Sequence, residues 1–259
     1  MSPSWRDRAE VFVGAQLLRL AVTPRGWGAR AEHRATVELP QGAAAETVGL
    51  ELATALAASA RRGFAGRIVL SNQHVRYAVV ADAALLAGQG ERDAAARHAL
   101  RSVYGEAADA WHIVMDAGSG GAALVAGVPQ DLLDALRNAC AAAGAGSVRI
   151  EPLFSRAVNG ALSAIGDDAG WVGVLEGGRL VLATLDHAGI RAVRSHRILR
   201  DAADEVSALL QRVRLLDADA SERATLVLAS DSPAQLAFAP EAGLQVRSVP
   251  LVGTLAEEA

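Results

Sequence analysis

Apolar positions along this chain recur in some stretches with period two and in others with the longer helical period, and the changes of period mark its elements. Residues 11–13 and 17–22 are short apolar runs around Gly14-Ala15-Gln16, and residues 34–39 alternate up to Pro40, so three meandering strands open the chain. Residues 47–62 set Val48, Leu50, Leu52 and Leu56 among alanines and close on Arg61-Arg62-Gly63, cations and a glycine where a helix ends. Strands are predicted at 67–70 and 75–80, a helix at 91–103, and strands at 111–115 and 122–126 joined by Asp116-Ala117-Gly118-Ser119-Gly120-Gly121. Pro129-Gln130-Asp131 opens a helix reaching residue 143, with proline and an acid in its first turn as the macrodipole favours. A strand at 147–150 and a helix at 155–165 follow.

After Gly166-Asp167-Asp168-Ala169-Gly170 the opening pattern returns. Strands at 171–175, 179–185 and 189–197, the first two linked by the turn Glu176-Gly177-Gly178, precede a helix at 201–216, a strand at 225–229, a short helix from Ser232 and a strand at 244–249. The order β-β-β-α-β-α-β thus occurs twice, its first copy interrupted by an insertion over about residues 75–146. The expected organisation is α/β: a first lobe, residues 1–165, carrying the inserted subdomain, and a second lobe, residues 166–259.

Composition supplies the material for two cores, with 51% apolar residues against 21% charged. Every basic residue is arginine, which excludes a P-loop lysine on phosphate and an amine nucleophile for Schiff-base chemistry. Net charge is −4, the arginines are scattered and aromatic residues are only 4%, so neither a counterion-releasing stripe nor a stacking platform for nucleic acid is present. The single cysteine, Cys140, falls in a helical pattern as a small core residue. Trp5, Arg6, Asp7, Arg8 and Glu10 precede any apolar run and no apolar stretch reaches ~18 residues, so a cytoplasmic chain without a membrane span is expected, held at a membrane only through a partner.

The doubled order is the outline of the actin, Hsp70 and sugar-kinase fold, with its ribonuclease H-like lobes. Within it the chain resembles the PilM-type proteins of type IV pilus assembly and the cytoplasmic domain of the GspL-type proteins of type II secretion. The likeness rests on Gly66-Arg67-Ile68-Val69-Leu70-Ser71 with His74-Val75-Arg76-Tyr77, on the insertion's helix and hairpin, and on Val148-Arg149-Ile150-Glu151-Pro152 leading into Ala157-Val158-Asn159. It implies an actin-like component that docks a short tail of a single-pass inner-membrane protein without entering the membrane itself, and also a homodimer.

At the nucleotide site the chain departs from that pattern. PilM-like proteins carry Asp on the first strand, then Gly, then a returning Lys, because the acid orients Mg²⁺-bound water and glycine lets backbone amides reach phosphate. Here Val11-Phe12-Val13-Gly14-Ala15-Gln16-Leu17-Leu18-Arg19 keeps Gly14, sets Arg19 for Lys and puts Phe12 where the acid belongs. In the second lobe the corresponding positions hold Gly173 and Leu175. Gly14, Gln16, Arg19 and Gly173 are therefore expected to form a vestigial nucleotide site with no catalytic residue, no bound ATP and no metal.

Other motifs have plainer readings. The glycine-rich run after Asp116 precedes a strand, whereas a phosphate loop needs a helix there. The histidines at 33, 74, 98, 112, 187 and 196 show no ligand spacing, Ser119 and Ser155 lack a nucleophile elbow, and Asp167-Asp168 sits among glycines as a solvated linker. Arg76 alternates with Val75, Tyr77 and Val79, so it either faces solvent or joins Asn72 and Gln73 at a groove beside the insertion where a partner peptide adds as a strand. Two further possibilities stay open: an active ATPase or sugar-kinase relative binding ATP and magnesium through displaced acids such as Asp116 or Asp186, and a likeness of architecture alone.

Overall fold

The computed structural model of the chain describes residues 6–25, 32–60, 62–116, 121–165, 170–186, 189–199, 202–216, 225–231 and 245–251, with backbone alone at 160–165, 186, 214–216 and 250. In chain order the elements of the first half are β1 (Arg8–Val13), β2 (Leu17–Thr23), β3 (His33–Glu38), α1 (Ala45–Ser59), β4 (Ala65–Leu70), β5 (Arg76–Val80), α2 (Gln89–Tyr104), β6 (Trp111–Met115), β7 (Ala123–Pro129), α3 (Gln130–Ala142), β8 (Ser147–Pro152) and α4 (Leu153–Ile165). The second half holds β9 (Gly170–Glu176), β10 (Arg179–Asp186), β11 (Gly189–Arg197), α5 (Ala202–Leu216), β12 (Thr225–Ser230) and β13 (Gln245–Pro250). The helix predicted from Ser232 lies outside the described residues.

The chain divides into two compact units, one of Met1–Val75, Val128–Leu153 and Gly253–Ala259, the other of Arg76–Gly127 and Phe154–Val252. The first contains a five-stranded sheet of order β3-β2-β1-β4-β8, the second a five-stranded sheet of order β11-β10-β9-β12-β13 and a three-stranded sheet of order β5-β7-β6. In each five-stranded sheet the strand that opens the repeat lies at the centre, antiparallel to its hairpin partner and parallel to the strand that follows the helix. The duplication expected from the order of elements is thus a duplication of pairing.

In the first unit, β1 buries Val11, Phe12 and Val13 in succession, so neither face of that half of the strand meets water. On α1, Val48, Leu52, Ala55 and Leu56 form the buried stripe at helical spacing. Gly49 allows α3 to come close, because a Cβ there would lie 3.1 Å from Ala135 Cβ. Helix α3 answers with Leu132, Leu133, Leu136, Ala139 and Cys140. Burial pushes the Cys140 thiol up to about 11, as expected of a core cysteine. Helix α1 stops at Ser59 with Ala60 extended, so Arg62 lies beyond the helix instead of in its last turn.

In the second unit, α5 covers one face of the sheet with Val206, Leu209, Leu210 and Val213 against Trp171, Leu180, Leu182, Leu226 and Leu228. The inserted segment builds its own small core of Ala78, Ala96, Leu100, Ala108 and Val125. By compactness, α3 belongs with the first sheet, while residues 76–127 and α4 group with the second; the sequence analysis had attached all of these to the first lobe. The physical ties are the packing of β5 against β11 and the contact of Phe154 with Tyr77, ring centres 5.1 Å apart.

Gly173 sits in mid-strand, paired with Leu182 on one side and Leu228 on the other. A Cβ at Gly173 would stand 2.7 Å from Leu228 Cδ1, and Leu228 is fully buried, with no open space to swing into. Gly173→Ala is expected to cost about 1–3 kcal/mol by overpacking, read as a lower urea midpoint with an unchanged slope.

Candidate functional site

Since the centre of each sheet is closed to solvent, polar chemistry on these strands is confined to their ends, and the two hairpin tips are where it gathers. The β1–β2 tip is closed by Gly14 N–H donating to Leu17 O at 2.8 Å. A Cβ on Gly14 would come 3.1 Å from Leu17 O and 3.2 Å from Phe12 Cε1, so close approach is what requires glycine there. Ala15 and Gln16 are exposed, and Gln16 O accepts from Leu39 N–H at 2.8 Å.

The segment after β4 is sewn onto this tip. Ser71 N–H donates to Val13 O at 3.0 Å, His74 N–H to Ser71 O at 3.0 Å, and Gln73 N–H to Ser71 Oγ at 3.0 Å. His74 Nε2 lies 2.8 Å from Gly14 O; a carbonyl can only accept, so Nε2 carries the proton. Asn72 is fully buried inside this turn and Gln73 is half-buried. Phe12 is 3% exposed and is paired with Arg19 on β2 and Val69 on β4, and Arg19 is half-buried. Gly14, Gln16, Asn72, Gln73 and the pair Phe12 and Arg19 therefore lie in one unit at one end of its sheet.

The β9–β10 tip is built differently. Glu176 faces Arg179 across a two-residue turn of Gly177 and Gly178, whose φ values are +53° and +71°. Two positive φ angles give the hairpin turn that matches strand twist, and glycine adopts them without steric cost. Gly177 N–H donates to the carboxylate of Asp231 at 3.0 Å, and Gly178 O accepts from Ile198 N–H at 2.8 Å. Glu176 is 6% exposed, and Asp231 N–H lies 3.4 Å from Leu175 O. An acid is thus present at this tip, one residue beyond Leu175, where the sequence analysis looked for it. The Gly177 amide is thus occupied by a carboxylate, beside the buried Glu176 and its cross-strand partner Arg179.

Sequence reading passed over Glu176 and Asp231 because each resembles ordinary turn punctuation. The available signal was an acid directly before Gly-Gly and a second acid directly after the strand that pairs beside it. Gly173 lies three residues before the last residue of β9, in the strand interior.

Arg76 opens β5 in the second unit, whereas Asn72 and Gln73 belong to the first. It is half-buried, and desolvation followed by the charge of Arg179 lowers its pKa. Beside it Tyr104 OH donates to Tyr77 O at 3.3 Å, and burial raises the Tyr77 phenol well above its ordinary value. Asp116 is exposed between strands β6 and β7, and residues 117–120 of that loop lie outside the described residues, as does the side chain of Asp186. Among the described residues no cluster of three or more His, Cys, Asp or Glu is placed to hold a metal ion, and no helix is long and apolar enough to cross a membrane.

No family model matches the sequence, and no curated protein matches it. Among solved structures the chain is similar to one in the PilM–PilN type IV pilus biogenesis complex, with 16% identity, TM-score 0.60 and coverage of 95% of this chain and 88% of that one. It is similar to a Bacteroides thetaiotaomicron protein with actin-like ATPase fold and unknown function, with 10% identity, TM-score 0.58 and coverage of 87% and 82%. It is also similar to the cytoplasmic domain of EpsL, an inner membrane component of the type II secretion system of Vibrio cholerae, with 13% identity, TM-score 0.56 and coverage of 94% and 89%. At such identities the likeness is one of fold, and the fold is actin-like with an inserted three-stranded subdomain.

Asp231→Ala removes the acceptor for Gly177 N–H while leaving the core intact. The expected outcome is exchange of the Gly177 amide with deuterium about ten-fold faster, with little change in the exchange of the Trp171 and Val172 amides.

Proposed function

We propose that this chain is a non-catalytic adaptor of a type IV pilus or type II secretion-like assembly, holding the cytoplasmic tail of a single-pass inner-membrane partner instead of turning over nucleotide. The observation that carries the reading is Phe12. Its ring is buried where the resemblance asks for the acid that orients magnesium-bound water, and a phenyl group neither ligates a metal nor accepts a proton. The Asp231 carboxylate on Gly177 N–H supports it, because the second hairpin then offers a phosphate a partner already taken. The fold shared with chains from a pilus complex and a secretion component supplies the setting. On this reading the chain is cytoplasmic and reaches the membrane through its partner, with the half-buried Arg76 as the candidate contact for the tail and Asn72, closed inside its turn, set aside. Gly14, Gln16 and Arg19, all in the first unit, mark what is left of a nucleotide site, and Gly173 is part of the second core.

One observation favours a second reading, a magnesium-dependent ATPase or sugar-kinase relative: Glu176 ends β9 directly before the glycine tip, so the second unit does carry an acid there. Calorimetric titration with ATP and Mg²⁺ separates the two. The adaptor predicts no binding tighter than about 1 mM, ~4 kcal/mol, while the second reading predicts binding that Glu176→Gln weakens. Titration with the cytoplasmic tail peptide of a candidate single-pass inner-membrane partner should instead give heat, and Arg76→Ala should weaken that binding about ten-fold. ATP turnover lost in Glu176→Gln, together with no peptide binding, overturns the adaptor.

A further inference from the structure

The three sheets have six outer strands: β3, β8, β11, β13, β5 and β6. Unpaired edges invite another chain, and proteins blunt them with charge, proline or irregularity. Here β3 carries Arg34, β8 carries Arg149, β11 carries Arg194, β13 carries Arg247 and β5 carries Arg76. Among the described outer strands only β6, Trp111-His112-Ile113-Val114-Met115, contains neither a carboxylate nor a guanidinium, and neither proline nor glycine. The molecule guards each of the other edges and leaves this one bare.

The register says what that edge presents. Asp116 N–H donates to Leu124 O at 2.9 Å, towards β7. Antiparallel pairing alternates, so the backbone groups of Met115 and Ile113 and the carbonyl of Trp111 point the other way, out of the sheet, while the Trp111 N–H is taken by Ala108 O. The same three side chains pack on the insertion's core but are only partly buried. That core is therefore open along the edge, and a strand laid beside β6 would continue it. On the opposite face Val114 is 55% exposed.

We infer that β6 is a docking edge for an extended segment of a partner protein, with apolar side chains at alternate positions and basic residues at its ends. The charge of the edge selects this occupant. Exposed Glu106 and Asp109 precede the strand and exposed Asp116 follows it, while Arg101, 3.5 Å from Asp109, balances one of the three. A second copy paired antiparallel about Ile113 would bring the Asp116 of each copy towards the Glu106 and Asp109 end of the other, like charge against like. Backbone hydrogen bonds supply affinity for a foreign segment, and the acidic ends set its preference. The inference does not depend on the pilus or secretion reading, and the edge is separate from Asn72, Gln73 and Arg76.

The test uses the full chain and two short synthetic peptides, both with valine and threonine alternating, one ending in arginines and the other in glutamates. The arginine-ended peptide is expected to bind about ten-fold more tightly than the glutamate-ended one and to slow deuterium exchange of the Ile113 and Met115 amides. Val114→Lys, a change at an exposed side chain, should weaken that binding about ten-fold with the circular dichroism spectrum unchanged. Equal binding to Val114→Lys, failure of both peptides, or protection of β4 or β13 in place of β6 overturns the inference. So does a sedimenting dimer that Val114→Lys abolishes, which would assign the edge to a second copy.

Discussion

A run of strand with no solvent side has nowhere to keep an unpaired polar side chain, and both repeats are built on such a run. Strand β1 buries Val11, Phe12 and Val13 in a row, and β9 is buried along its whole length. Each lies between an antiparallel hairpin partner and a parallel neighbour, so its backbone is satisfied within the sheet and its side chains are spent on packing. The helices α1 and α5, the small residues Gly49 and Gly173, and the apolar composition of the neighbouring strands follow from covering these two centres.

That constraint also decides where function can lie. The buried phenyl ring of Phe12 gives that part of β1 to the core. The two tips have then diverged. One is tied down by a histidine and a serine turn, through Gly14 O and Val13 O, and the other by a carboxylate on a glycine amide. In each case polar groups at the tip are spent on holding the protein's own backbone together.

Much of the fold was legible in the sequence because its periodicities are strong. Alternation, glycine turns and one clear insertion gave the doubled order of strands and helices, and most strand bounds fall within a few residues of the reading. The partition into compact units was not legible, since it depends on which surfaces meet: nothing local in Phe154 announces that it will pack on Tyr77, nor in Gly49 that it will admit Ala135. Of the candidate site, Gly14 could be read from its turn and Phe12 from its misfit. His74, Glu176 and Asp231 could not, because a hydrogen bond spanning 60 residues, such as that from His74 to Gly14, leaves no trace in local pattern.

Cys140 has a use that its inertness in the fold makes possible. It is the single cysteine of the chain, buried on α3, with burial holding its thiol up at about 11. Alkylating reagents act on the thiolate, so labelling in the native state must wait for the α1–α3 layer to part. The rate of labelling is then a clock for opening of the first unit alone, because the second unit has no thiol to contribute. A bound partner that steadies one unit and not the other would be distinguished by a reagent that reports on a single atom.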